Sequence, residues 1–140
     1  MRIEQELRFF PKIYKKSAGS YYMPYIKGSV TNLNNGKRTL YASDFIIDTG
    51  ASITILNHKF AFLFEDDNNI IDYISVQYGG NNKELPVYKI ELKLQGHSFI
   101  LPAAFDKDMQ LTSLLGHFEF LNTFEHIGMS KKRKKISLIS

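Results

Sequence analysis

Polar and apolar positions along most of this chain alternate with a two-residue period, the mark of strands that bury one face. Tyr22 to Leu33 predicts a strand that runs into Asn34-Asn35-Gly36, a turn signal because Asn and Gly tolerate positive φ. Thr39 to Ile47 predicts the returning strand, ending on Phe45-Ile46-Ile47, and Ile53 to Leu56 is a further short β-branched run. Ile70 to Tyr78 predicts a strand, Gly79 to Asn82 a turn, and Leu85 to Leu94 the return, with Val87, Ile90, Leu92 and Leu94 at apolar positions. Gln95-Gly96-His97 then turns the chain into Ser98 to Phe105, and Glu125 to Met129 with Ile136 to Ile139 predicts a last hairpin. Little fits a helical stripe. Lys59 to Phe64 suits neither period and predicts a helical turn or two, Glu65 to Asn69 a loop. Phe118, Leu121 and Phe124 predict one short helix over His117 to Phe124, near the C-terminus. Many short strands with turn signals every ~8–12 residues argue an all-β fold, a small barrel or sandwich.

A length of 140 residues is about one domain of chain, and its 44% hydrophobic and 23% charged residues sit near globular averages. No run of ~18 apolar residues predicts a membrane span, and Met1 to Phe10 has no apolar stretch suited to a signal peptide. The absence of cysteine excludes a disulfide scaffold, a thiol nucleophile and any zinc site that needs sulfur. The expectation is a soluble, cytoplasmic protein with no membrane partner. Residues 1–20 are set apart as an N-terminal extension of unknown role, and residues 21–140 as a single domain.

The net charge of +4 invites a nucleic-acid reading, so its location matters. Lys131, Lys132, Arg133, Lys134 and Lys135 carry five positive charges, and without them the net charge falls from +4 to −1. A nucleic-acid binder usually spreads Lys and Arg along a face to follow phosphates. A solvated hairpin turn is therefore favoured over a nucleic-acid patch. His58, His97, His117 and His126 lack metal-ligand spacing and read as surface or lightly packed residues. Neither a Gly-x-Ser-x-Gly elbow nor a phosphate-binding glycine pattern is present.

One segment carries chemistry. In Phe45-Ile46-Ile47-Asp48-Thr49-Gly50-Ala51-Ser52 a carboxylate directly follows three apolar residues and precedes a Thr-Gly turn. Burying an unpaired Asp is costly, and Thr49, Gly50 and Ser52 supply nearby donors. This segment resembles the active-site signature of aspartic proteases, two hydrophobic residues followed by Asp-Thr-Gly-Ala. A second stretch strengthens the resemblance to the retroviral-type, retropepsin-like branch: Leu114-Leu115-Gly116 follows the signature and precedes His117 to Phe124. Tyr78-Gly79-Gly80-Asn81-Asn82 lies between the two motifs, where that family has its flap hairpin.

The resemblance implies a small closed β-barrel of the retropepsin type and an aspartic endopeptidase needing no metal and no cofactor. It implies Asp48, Thr49 and Gly50 as catalytic residues. Ala51, Tyr78, Gly79, Gly80 and Phe105 are the candidate substrate contacts, with Ser52, Leu115 and Gly116 supporting the site. By the same resemblance Thr49 braces its own copy across a two-fold axis, and the Ser52 hydroxyl bonds the outer oxygen of Asp48. Peptide hydrolysis by this route needs two carboxylates, and none of Asp44, Asp66, Asp67, Asp72, Asp106 or Asp108 is followed by Thr-Gly or Ser-Gly. The expected solution is a homodimer in which Asp48 meets its copy, with an extended polypeptide substrate between the chains. Two other readings stand beside it. One is a non-catalytic retropepsin-like module for peptide binding or assembly, the other a small basic nucleic-acid-binding barrel.

Overall fold

The computed structural model describes the backbone of residues 1–14, 17–78 and 80–140, and the side chains of residues 1–7, 23–77 and 80–140. Its strands run in the order β1 (Arg2–Glu6), β2 (Arg8–Tyr14), β3 (Ser17–Met23), β4 (Tyr25–Asn32), β5 (Ser43–Ile47) and β6 (Thr54–Leu56). A 3-10 turn (His58–Phe60) leads into one α-helical turn, α1 (Ala61–Phe64). Then follow β7 (Asp72–Tyr78), β8 (Asn81–Leu94), β9 (His97–Phe105), β10 (Ser113–Leu115), β11 (His126–Ser130) and β12 (Lys135–Ile139).

Six strands close into a barrel in the order β4-β5-β10-β6-β9-β8, with β8 returning to β4 from Ser29↔Lys93 to Asn32↔Ile90. Closure leaves these strands no free edge, so the backbone polar groups of a short-stranded sheet find partners. The fourteen-residue β8 serves two structures. From Val87 to Leu94 it pairs with β9, while from Asn81 to Val87 it pairs with β7 and forms a hairpin outside the ring. Its buried face changes accordingly. Tyr88, Ile90, Leu92 and Leu94 point into the main core, whereas Leu85 and Val87 join a smaller cluster with Ile53, Ile55, Ala104 and Met109.

A separate three-stranded sheet, β1-β12-β11, packs on the main core through Ile3, Ile136 and Leu138. Ile3 and Leu7, in the stretch set apart as an extension, are thus buried with the barrel's own core. The β2–β3 hairpin pairs in register from Arg8↔Met23 to Tyr14↔Ser17. The basic run occupies the exposed turn between β11 and β12.

The C-terminal helix expected over His117 to Phe124 is absent; a 3-10 turn at Leu121–Thr123 stands there. Two features prevent the helix. Glu119 has φ +59°, a left-handed conformation that an α-helix cannot contain. The local N–H groups also bond three or five residues back, Phe120 to His117 and Leu121 to Gly116, never four. Phe120, Leu121 and Phe124 are buried while Phe118 faces out, so the apolar spacing did not mark one helical face. Among the described residues no helix is long and apolar enough to cross a membrane.

Candidate active site

Asp48 follows the last residue of β5, whose Phe45 and Ile47 are anchored in the core. The loop after it must leave the sheet and return as β6, yet β5 and β6 are not neighbours. The short β10 lies between them, parallel to β5 (Leu115↔Ile47) and antiparallel to β6 (Leu114↔Ile55). The loop is therefore held at both ends by the segment that follows β10. Asp48 N–H donates to the Leu115 carbonyl at 3.0 Å, His117 N–H to Ala51 at 3.0 Å, and Phe118 N–H to Ser52 at 2.9 Å. Gly116 N–H donates to the Thr54 hydroxyl, itself fully buried. At Gly116 a Cβ would lie 2.4 Å from the Ile53 backbone, so only glycine allows the two segments to approach this closely.

Asp48 is half-buried, and its Oδ1 accepts the Gly50 N–H at 2.8 Å, while Ala51 N–H closes the turn onto the Asp48 carbonyl at 3.1 Å. Thr49 and Gly50 are exposed at the loop tip. The Ser52 hydroxyl, expected on Asp48, is not among the hydrogen bonds formed there; Ser52 is exposed and its carbonyl takes the Phe118 N–H. The ring of His117, read as a surface or lightly packed residue, lies 2.7 Å by its Nε2 from the Thr49 carbonyl.

A cavity of about 330 Å³ opens beside Asp48, lined by Gly50, Ala51 and Ser52 of the loop, Ile53, Ile55 and Leu114 of the floor, and Val76 and Gln77 of β7. Ile74, Val76 and Leu114 pack on the smaller apolar cluster, which holds the β7–β8 hairpin over the loop. A second cavity of about 620 Å³ shares Ser52 and Ile53 with the first and continues along Ile74, Val87, Pro102 and Phe118. Asp48 is the one ionisable residue lining the first cavity among the described residues.

The other candidate contacts fall in different places. Gly80 sits in the hairpin turn at φ +87°. The Tyr78 side chain and Gly79 lie outside the described residues. Phe105 is not brought to Asp48: its ring lies 5.0 Å from Phe64, on a separate cavity between α1 and β8. Val76 and Gln77, which do reach the Asp48 cavity, follow from no local signal, because hairpin curvature decides where β7 lands.

Two polar clusters hold the frame around the loop. Lys83 of β8 binds Asp106 at 2.6 Å and Asp108 at 2.8 Å, tying the hairpin to the turn after β9. The Asp106 bond, then the Asp108 bond, raises the Lys83 pKa above its ordinary value, and the Lys83 bond lowers that of Asp108. On the far side, buried Asp67 accepts Asn32 Nδ2 at 2.6 Å, Asn34 Nδ2 at 2.9 Å and the Asn69 N–H at 2.9 Å. Burial pushes its pKa up, but these donors together outweigh burial and leave it below the ordinary carboxylate value. Asp44 is bridged to Lys27 at 3.2 Å. Among the described residues no three His, Asp or Glu side chains are grouped to hold a metal ion.

No protein-family model matches this chain, and no curated protein sequence matches it.

Proposed function

We propose that this chain is an aspartic endopeptidase of the retropepsin type, active as a homodimer. The observation that carries the reading is the placement of Asp48. It stands half-buried at an apolar cavity, on a loop stitched to Leu115–Phe118, with no second carboxylate lining that cavity among the described residues. A lone carboxylate does not supply both the base and the acid of peptide hydrolysis, and a two-fold axis through the exposed tip at Thr49 and Gly50 would supply the second. The two Asp48 groups would share one proton. The ionised one draws a proton from water, and the protonated one polarises the scissile carbonyl. The dyad must hold one proton, so activity is expected to peak at acidic pH.

The test is cleavage of a mixed peptide library by the full chain. Asp48→Asn is expected to lower the rate by about 10²- to 10⁴-fold, the usual worth of general acid–base groups, with the fold intact. Cleavage that survives Asp48→Asn, or an optimum at alkaline pH, overturns the reading.

One observation favours a second reading, a peptide-binding or assembly module without catalysis. The last strand, β12, lies between β1 and β11 of its own chain and is paired along both edges, so it does not add to a partner's sheet. Peptide binding by a strictly monomeric chain, with no cleavage at any pH, would select it.

A further inference from the structure

The mechanism above uses Asp48 and leaves His117 unused, yet the ring makes a contact that no surface histidine needs. Its Nε2 lies 2.7 Å from the Thr49 carbonyl, and a carbonyl oxygen can only accept, so Nε2 carries the hydrogen. Nδ1 lies 3.3 Å from Asn122 Oδ1, an acceptor that it can serve only when it too carries a hydrogen. The Thr49 carbonyl and the Gly50 N–H belong to one peptide group. That same N–H donates to Asp48 Oδ1 at 2.8 Å. A line of hydrogen bonds therefore runs from imidazole to peptide to carboxylate, with one rigid plane in the middle.

We propose that His117 is a positioning residue that acts on Asp48 through the single peptide group between Thr49 and Gly50. Two physical effects combine. Holding the carbonyl end of a planar unit fixes where its N–H end points, and so fixes the donor on the carboxylate. A carbonyl that accepts a hydrogen bond also makes the N–H of the same peptide a stronger donor, because bonds in a chain polarise one another. Both effects act on the hydrogen bond that Asp48 Oδ1 accepts from the Gly50 N–H. Three further ties between the loop and Leu115–Phe118 are backbone bonds, and Gly116 N–H reaches the Thr54 hydroxyl where the loop enters β6; the ring is the tie that meets the Thr49–Gly50 peptide itself. The partners of its two ring nitrogens are the Thr49 carbonyl and Asn122 Oδ1. The carboxylates nearest along those two segments are Asp48 and the exposed Glu119.

The inference rests on the peptidase reading only for its consequence in catalysis, and its test needs no turnover. NMR on the full chain would follow Gly50 amide exchange and the Asp48 carboxyl titration in the unsubstituted protein, His117→Phe and His117→Gln. Phe keeps a ring of similar bulk and loses the donor. Gln keeps an N–H able to reach the same carbonyl. His117→Phe is expected to speed Gly50 exchange by about three- to tenfold, the factor one ordinary hydrogen bond supplies, and to change the Asp48 titration curve. His117→Gln is expected to stay close to the unsubstituted protein. Unchanged Gly50 exchange and Asp48 titration in His117→Phe overturn the proposal, as does equal behaviour of the two variants. If His117→Phe does not fold, the unsubstituted protein decides: the Gly50 amide shift must follow both the imidazole and the Asp48 titrations, and a single step overturns the relay. A chain that cleaves no peptide refutes the peptidase reading and leaves this measurement standing.

Discussion

Asp67 shows how little a residue's sequence neighbours say about its work. In Glu65-Asp66-Asp67-Asn68-Asn69 it reads as one acid of a polar loop, yet it is buried and gathers donors from Asn32 and Asn34, more than thirty residues away. Those donors favour its charged form, so its folded pKa is depressed. A depressed carboxylate contributes stability that is present above its unfolded pKa, about 3.9, and lost as pH falls through the folded value. Asp67→Asn turns an acceptor into a group with an NH₂ among donors. It is expected to cost about 1–3 kcal/mol at pH 7, with the gap narrowing as pH falls below 4. Urea unfolding of both proteins at pH 7 and pH 3 checks this, and a gap that does not narrow contradicts it. Asp48, the proposed catalytic acid, was singled out by a local signal: three apolar residues, an acid, then Thr-Gly.

Among the elements, the β7–β8 hairpin stands outside the closed ring, and β7 pairs along one edge, with β8. Lys83 lies directly across from Val76, in the half of that hairpin nearer its turn, and its bonds to Asp106 and Asp108 tie this half to the turn after β9. Lys83→Met is expected to leave the buried Asp106 carboxylate short of a cation and to loosen the hairpin. Hydrogen exchange should rise over Asn82 to Leu85, while Ile90 to Lys93, paired on both sides, keep their protection. Uniform change along β8 would mean that the bridge does not act locally. The turn signals at Asn34-Asn35-Gly36, Gln95-Gly96 and the basic run were all legible, since a turn is set by a few residues. The helix at His117 to Phe124 was misread because the N–H groups there follow the needs of the neighbouring loop.

At the scale of the whole molecule the proposed site is half a site. Sedimentation of the full chain at micromolar concentration is expected to give twice the mass of one 140-residue chain. Thr49→Ala, at the exposed loop tip, is expected to shift the balance toward single chains without lowering thermal stability of the fold. A monomer at every concentration would remove the second carboxylate and with it the proposed chemistry. By itself the sequence determined the all-β class and the positions of most strands, and it supplied the motif on which the proposal for Asp48 rests. These depend on two-residue periodicity, turn residues and a contiguous motif, all read over a few positions. Only the tertiary structure decided that β10 inserts between β5 and β6, that Ile3 and Leu7 belong to the core, and that His117 reaches Thr49. Each of these joins residues dozens of positions apart, through a barrel closure that no local pattern encodes.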